Sequence, residues 1–227
     1  MTYADLRDDY IAKVVQGKTF VDVGGLWGTV NEKVSVAHQL GAVALTMIDY
    51  QPKGNELWQK FDERMKSLGI KDYHSISQDI GQIEPGVISN PFDIVHCSGV
   101  LYHHPNPMHL LATLRQITRQ NLILTSSITQ EVIENEKGCY QVPASGVIFV
   151  PALNNTEFNI LKTYWEKFGV RAQGLTEKIV YNLNDFEPWW WLPTAFALAR
   201  MCETAGFKVI DKGLMWNNNA LTLLLKL

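Results

Sequence analysis

The sequence predicts an α/β protein with a doubly wound, mostly parallel sheet, an antiparallel C-terminal hairpin, and an insertion after the fifth strand. Three observations carry that prediction. Short apolar runs alternate with helix-period segments up to residue 126, the pattern of a parallel sheet covered on both faces. The first run leads through the glycine-bearing turn Asp22-Val23-Gly24-Gly25-Leu26-Trp27-Gly28 into a helix, and the next run ends in an acid, Asp49. Two further apolar runs close the chain, Lys208 to Leu214 and Ala220 to Leu225, joined by the polar Trp216-Asn217-Asn218-Asn219. Together these describe a Rossmann-like fold.

The bulk composition sets limits on function. A chain of 227 residues suits a single domain, residues 1–227, and is long enough to bury a full core. Hydrophobic residues make up 46% and charged residues 19%, the balance of a folded protein. The net charge is −3 and no block of lysine or arginine occurs, so a nucleic-acid partner finds no electrostatic footprint. No long apolar segment would span a membrane, and the charged N-terminus lacks the apolar run of a signal peptide. Cys97, Cys139 and Cys202 are widely spaced, which argues for reduced thiols, a cytoplasmic location, and neither disulfides nor structural zinc.

Taken in order, residues from Ala4 to Val15 carry Leu6, Tyr10, Ile11, Val14 and Val15 at helical spacing. This helix packs beside the sheet or lids a ligand. Lys18 to Val23 is the first strand, apolar because a central parallel strand is buried on both faces. After the glycine turn, a helix is expected from about Val30 to Leu40, with Val34, Val36, Ala37 and Leu40 inward. Val43 to Ile48 is the second strand. Asn55 to Leu68 is the next helix, burying Leu57, Trp58, Phe61, Met65 and Leu68, with Gly69 at its end. Tyr73 to Ile80 reads as a weaker third strand bearing Asp79, and Gly81 to Pro91 as a loop. Phe92 to Ser98 is the fourth strand, Met108 to Thr118 its helix, and Asn121 to Ser126 the fifth strand. Beyond the insertion, Phe196 to Thr204 is helical, with Ala197, Leu198, Met201 and Cys202 inward.

Ligands in open α/β sheets bind outside the carboxyl ends of the strands. The turn from Asp22 to Gly28, Asp49, Asp79 and the stretch from Ser98 to His104 all follow strands, so all fall on one rim. Glycine serves such a turn by adopting angles closed to other residues and by letting the main chain approach a ligand. An acid about 20 residues beyond it accepts hydrogen bonds from ribose hydroxyls. A glycine turn alone is a weak signal, and a strand-end carboxylate is commonly just solvated. Turn and acid together point to a nucleoside-containing cofactor.

These residues resemble those of class I S-adenosylmethionine-dependent methyltransferases. Asp22, Gly24 and Gly28 match the acid and glycines of that family's first turn, while Leu26 takes the place of the middle glycine. The resemblance implies S-adenosylmethionine as cofactor, with Gly24 at its methionine part, Asp49 at the ribose and Asp79 at the adenine amino group. Gly25, Tyr50, Ile80, Ser98 and Gly99 are implied as neighbouring contacts. A nicotinamide cofactor fits less well, because its Gly-x-Gly-x-x-Gly spacing is absent. A closer similarity covers Phe92 to Pro107, with its Gly99-Val100-Leu101-Tyr102-His103 run, and Trp190 to Phe207. These segments are similar to the tRNA uridine 5-oxyacetate carboxymethyltransferase subgroup, which carries an N-terminal extension that this chain lacks. That similarity is read as ancestry, with ordinary S-adenosylmethionine as the donor.

Residues 127–190 form an insertion far longer than the usual connection. It contains Val147 to Pro151, a helical stretch from Thr156 to Phe168, a strand-like run from Leu175 to Leu183, and the sequence Asp185-Phe186-Glu187-Pro188-Trp189-Trp190-Trp191. On the ligand rim it reads as a substrate lid; a dimerisation arm or structural cover is the alternative. Three consecutive tryptophans cannot all face one way, so some are core, and one or two can wall a flat or cationic pocket. Methyl transfer needs mainly alignment, and a hydroxyl or ring N–H acceptor is helped by a base. His103 and His104 are the candidates, His104 preferred, with Tyr102, Glu187, Trp189 and Trp190 as acceptor contacts. Each histidine can equally be satisfied by the backbone. No metal is expected, since a histidine pair lacks a suitably spaced carboxylate. The expected activity is methylation of a small aromatic or heterocyclic molecule at oxygen or nitrogen. The alternatives are a tRNA wobble-uridine transferase and a non-catalytic S-adenosylmethionine-binding protein.

Overall fold

The computed structural model describes residues 5–83, 87–182, 185 and 187–227. Helix α1 (Leu6–Val14) is capped by Asp5, whose carboxylate accepts the Arg7 N–H; the expected start at Ala4 lies outside the described residues. Strand β1 (Thr19–Val23) is buried from Phe20 onward. Gly24 follows at φ 77°, and a Cβ there would lie 2.3 Å from Val100 Cγ2, so both backbone and space demand glycine. The chain then winds through a 3-10 segment, Gly25–Asn31, before α2 (Val34–Gln39). The single helix expected from Val30 is thus shorter and later. Its start is set by Glu32, whose carboxylate accepts the Ser35 N–H at 2.9 Å.

Strand β2 (Ala44–Asp49) leads to α3 (Glu56–Ser67), where Asn55 caps by accepting the Trp58 N–H. Trp58, Phe61 and Met65 are buried, but Leu68 sits past the last helical turn and is 41% exposed, against expectation. Strand β3 (His74–Ser77) is shorter than expected because Asp79 caps a 3-10 turn, Ile80–Gln82. That turn occupies the start of the expected loop from Gly81 to Pro91, whose residues 84–86 lie outside the described ones. Strand β4 (Phe92–Ser98) is followed by α4 (Pro107–Ile117), with Asn106 as cap and proline in the first turn, where its missing N–H costs nothing. Strand β5 (Thr118–Ser127) follows directly.

The insertion holds the hairpin β6 (Val132–Asn135) and β7 (Gly138–Gln141), then β8 (Val147–Phe149) and α5 (Asn155–Glu166). A reciprocal capping box between Asn154 and Glu157 starts α5. Strand β9 (Trp191–Pro193) pairs with β8, so this unit runs on to Pro193 rather than stopping at residue 190. No strand occurs over residues 175–182: Leu175 and Thr176 are buried in a turn closed on Ala172, and Val180 is 91% exposed, so the run has no continuous face to pair and bury. Leu183, its expected end, lies outside the described residues. Helix α6 (Ala195–Thr204) is capped by Thr194, and β10 (Lys208–Met215) and β11 (Ala220–Lys226) complete the chain.

Seven strands make the main sheet in the order β10-β11-β5-β4-β1-β2-β3. β1 to β5 are parallel, while β11 runs antiparallel to both β5 and β10. This is the Rossmann-like sheet with an antiparallel C-terminal hairpin that the sequence predicts. One face packs Val21, Val95 and Leu124 under α4 and α6; the other packs Phe20, Met47 and Ile94 under α1, α2 and α3. The insertion has its own core, in which Ile133, Phe158, Leu161, Trp165 and Leu192 gather with Tyr102 from the rim. The order of strands reverses between β1 and β4, with β2 and β3 on one side and β5 on the other, which puts a crevice at their carboxyl ends.

Candidate active site

That crevice is a cavity of about 820 Å³. The turn contributes Asp22, Gly24, Gly25 and Gly28 to its wall, and β2 contributes Asp49 and Tyr50. Asp79 and Ile80 enter after β3, and Ser98, Gly99, Tyr102, His103 and His104 after β4. The insertion adds Glu187 and Trp190. Trp189 alone of the expected site residues is not on the wall; its side chain packs on Phe149 and donates its indole N–H to Asn182 O at 3.1 Å.

The first turn is braced from below. Asp22 is 1% exposed, and its oxygens accept from His96 Nδ1 at 2.7 Å and from the Lys33 N–H at 2.8 Å. Its carboxylate is therefore committed to holding the turn. A Cβ on Gly25 would fall 2.4 Å from Asp22 Oδ2, so the turn can close over that carboxylate only without a side chain. Leu26, at the family's middle glycine position, is fully buried against Met47 and Trp58 in the core beneath. Its N–H donates to Asp49 Oδ2 at 3.3 Å. The departure from glycine is thus a core anchor that also steers the acid.

Asp49 is 3% exposed, and Oδ1 takes the Gln51 N–H at 3.1 Å. Burial pushes its carboxyl above the ordinary carboxylate range, against the pull of these backbone donors. A carboxylate has about four acceptor positions, so capacity remains for hydroxyl donors in the cavity. Asp79 Oδ1 accepts the Gly81 N–H at 2.8 Å and caps the 3-10 turn.

Helix α1 closes one side of the cavity through Arg7, which sequence reading missed. Its guanidinium reaches Ser98 Oγ at 3.2 Å and pairs with Asp5 at 2.7 Å. Burial opposes ionisation of Asp5, but the hydrogen bonds from Arg7 and Lys33 hold its carboxyl well below the usual range. Lys33, 3% exposed, also bridges Asp8 at 2.5 Å and so ties α1 to the first turn. His96 was missed as well. It lines the cavity at 2% exposure, and its Nε2 is buried with no hydrogen-bond partner among the described residues. The signal was available: a histidine inside Phe92-Asp93-Ile94-Val95-His96-Cys97-Ser98 is out of place in a strand buried on both faces. Trp27 and Trp216 are further wall residues with no such signal.

The two histidines differ. His103 Nδ1 lies 3.0 Å from Trp189 O, and since a carbonyl only accepts, this ring nitrogen donates; the Glu187 backbone is a second acceptor beside the ring. Burial lowers its pKa to about 4, so the ring is neutral near pH 7. It packs beside the rings of Tyr102 and Trp190, at 4.3 and 4.4 Å between centroids. His104 is 5% exposed, with Nδ1 against the Asn106 backbone N–H at 3.0 Å. Its other edge faces Gly81, where a Cβ would stand 2.1 Å from His104 Nε2. Burial lowers its pKa too.

Tyr102 and Trp190 stack at 5.1 Å and 19°, and burial pushes the Tyr102 hydroxyl up to about 12. Trp191 stacks instead on Phe149 at 4.1 Å. Of the three tryptophans, one walls the cavity and two build the insertion. Among the described residues no group of three or more His, Cys, Asp or Glu side chains could hold a metal ion, and no helix is long and apolar enough to cross a membrane.

Comparison with known proteins supplies the family. Residues 2–212 match a family model described as a methyltransferase domain. No curated protein matches the chain. Among solved structures, the magnesium protoporphyrin IX methyltransferase of Synechocystis PCC 6803, crystallised with S-adenosylhomocysteine, is similar at 14% identity and a TM-score of 0.59, covering 97% of this chain and 81% of that one. A candidate methyltransferase of Bacillus halodurans gives 12% identity and a TM-score of 0.63, covering 97% of both chains. The 1,6-didemethyltoxoflavin-N1-methyltransferase of Burkholderia thailandensis gives 11% and 0.55, covering 98% of this chain and 79% of that one. At these identities the likeness is one of fold.

Proposed function

The chain belongs to the methyltransferase-domain family, and on that premise we propose that it methylates an oxygen or nitrogen of a small aromatic or heterocyclic molecule, with S-adenosylmethionine as donor. One observation carries the reading: the strand-end polar groups and the insertion's aromatic wall face the same cavity. Structurally similar enzymes are named for small-molecule acceptors, magnesium protoporphyrin IX and 1,6-didemethyltoxoflavin, which supports the acceptor class.

The donor fits the residues present. Asp49 has acceptor capacity for ribose hydroxyls, and at Gly24 and Gly25, which line the cavity without side chains, the main chain would meet the methionine part. The Arg7 guanidinium would supply a charged group for the amino-acid end. Asp79 and Ile80 would hold the adenine end, with Tyr50, Ser98, Gly99 and Gly28 as neighbouring cavity residues. When bound, S-adenosylmethionine supplies a methyl group on a positively charged sulfur and departs as S-adenosylhomocysteine once the acceptor's lone pair has taken that methyl.

The chain's own work is alignment. The Tyr102 and Trp190 rings, stacked on each other, offer a flat acceptor an aromatic wall, and Glu187 lies at the same wall. His103 Nε2 accepts a hydrogen bond from the acceptor's O–H or N–H and so aims the lone pair. His103 takes precedence over His104, reversing the order expected from sequence, because its ring is held beside the aromatic wall by Trp189 and Glu187 while His104 is packed on Gly81 and Asn106. Residues 127–190 act as the lid. Cys97, Cys139 and Cys202 are all unpaired, in keeping with a cytoplasmic location.

Calorimetry with S-adenosylmethionine and S-adenosylhomocysteine tests the donor, and failure of both to bind overturns the reading. Turnover across a panel of phenols and nitrogen heterocycles tests the acceptor; donor binding without any turnover favours the non-catalytic alternative. A second acceptor, the tRNA wobble uridine, is favoured by the similarity of Gly99 to His103 to the carboxymethyltransferase subgroup, and the net charge of −3 weighs against it. Filter binding of bulk tRNA at low salt separates the two.

A further inference from the structure

Trp216 is the least expected member of the cavity wall. It opens the turn between β10 and β11 at φ 50°, followed by Asn217 at 55° and Asn218 at 67°. Asparagine visits this left-handed region readily, but a bulky residue is rare there because its Cβ crowds the following carbonyl oxygen. The angle persists because the turn is held from several sides. Ile128 donates its N–H to Asn219 O at 2.9 Å, Gln130 Nε2 donates to Asn218 O at 2.9 Å, and Asn219 Oδ1 accepts the Tyr164 O–H from α5.

The ring held there is unused by the fold. Trp216 is 42% exposed on the wall of the larger cavity, and its side chain makes no hydrogen bond or ring stack among the described residues. Trp190, by contrast, donates its indole N–H to Gln173 O and stacks on Tyr102. A large ring left open on a cavity wall, on a backbone that disfavours it, is not accounted for by chain stability. Strained positions of this kind gather at ligand sites.

Strand order indicates which ligand the ring serves. Asp49 and Asp79, assigned to the donor's ribose and adenine, follow β2 and β3 at one end of the sheet, whereas Trp216 follows β10 at the other. We propose that Trp216 is an acceptor-binding residue that sets specificity, stacking on a flat acceptor in the larger cavity beside the Tyr102–Trp190 wall. The inference rests on the methyl-transfer reading and adds to its acceptor site an aromatic from the C-terminal hairpin rather than the insertion. Stacking on an indole favours a planar unsaturated ring over a saturated one of the same size.

The probes are 2-naphthol and its saturated counterpart, decahydro-2-naphthol, titrated by calorimetry into the full chain saturated with S-adenosylhomocysteine. Wild type is expected to bind 2-naphthol about tenfold tighter. Trp216→Phe should keep most of that preference, and Trp216→Asn should bring the ratio towards one. The urea midpoint of Trp216→Asn should equal or exceed that of wild type, because asparagine accepts the left-handed angle. A residue that only packs would do the reverse, and a lowered midpoint with an unchanged ratio overturns the proposal. If Trp216→Asn does not fold, ¹H–¹⁵N spectra of wild type decide: 2-naphthol should shift the through-bond-assigned Trp216 indole N–H and leave that of the buried Trp191 in place. An unmoved Trp216 peak, or equal wild-type affinity for the two probes, also overturns it. A wild type that binds neither probe overturns the aromatic acceptor class together with this inference. Failure of S-adenosylhomocysteine to bind is a separate result, and it overturns the donor reading instead.

Discussion

His103 Nδ1 stands 3.0 Å from the backbone carbonyl of Trp189, so the rim of β4 is tied to the far end of the insertion, 86 residues later in the chain. Backbone acceptors of the insertion, Trp189 and Glu187, thus hold the ring beside the aromatic wall. His103→Phe keeps a ring of similar size but loses these bonds and the ring nitrogens. Turnover should fall on the order of 100-fold, the scale of a misaligned acceptor. S-adenosylhomocysteine affinity should stay within about twofold, on a threshold of ~0.4 kcal/mol. Unchanged turnover would remove His103 from the reaction.

The same residue makes stability depend on pH. Its pKa is about 4 in the folded chain against an ordinary 6.5, so below pH 6.5 the unfolded state binds more protons. Stability from this group is complete above about pH 6.5 and declines as pH falls towards 4. Denaturant midpoints for wild type and His103→Phe, measured at pH 7.5 and pH 5, should show a smaller acid loss in the variant. Equal losses would contradict a buried, neutral imidazole.

Asp49→Ala removes the acceptor assigned to the ribose and frees the Leu26 and Gln51 N–H groups. S-adenosylhomocysteine binding should weaken by about 1–3 kcal/mol, the range for a hydrogen bond to a charged group. Calorimetry giving an unaltered dissociation constant would refute the ribose role.

Leu26→Gly restores the family's usual residue, yet it should harm the protein. It empties a fully buried site beside Met47 and Trp58. The expected loss is about 3–5 kcal/mol, from the buried side chain and the added backbone freedom. Cofactor affinity should not improve. A variant that bound S-adenosylhomocysteine more tightly at undiminished stability would show Leu26 to be a defect in the turn rather than its anchor.

Gly81→Ala tests the packing of His104, because the new Cβ would fall 2.1 Å from Nε2 of that ring. Either the imidazole or the turn must move. A destabilisation of about 1–3 kcal/mol is expected from overpacking, read as a shift in urea midpoint. No shift would mean the ring has room, and would return His104 to contention as the acceptor's partner.

Much of the rim was legible because strand ends are fixed by one-dimensional patterns. Apolar runs with a two-faced burial requirement placed β1, β2, β4 and β5 within a few residues, and polar residues immediately after them had to share an edge. Asp49 and Asp79 needed nothing more. The helix after the first turn was misplaced because Leu26 and Glu32 act through tertiary contacts, a core site and a backbone donor, that no periodicity encodes. The run from Leu175 failed as a strand for a similar reason: its apolar residues have no sheet partner and Val180 faces outward. Arg7 reaches the cavity only because Lys33, far along the chain, pins α1 through Asp5 and Asp8. Likewise the sequence alone determined that two histidines would lie on the rim, since they follow a strand, and that three consecutive tryptophans could not all face one way. Which histidine keeps a usable lone pair, and which tryptophan walls the cavity, was decided by the folded insertion. Hydrogen-bond direction and burial are properties of neighbours in space, and Trp189 O becomes a neighbour of His103 only after the insertion folds over the sheet.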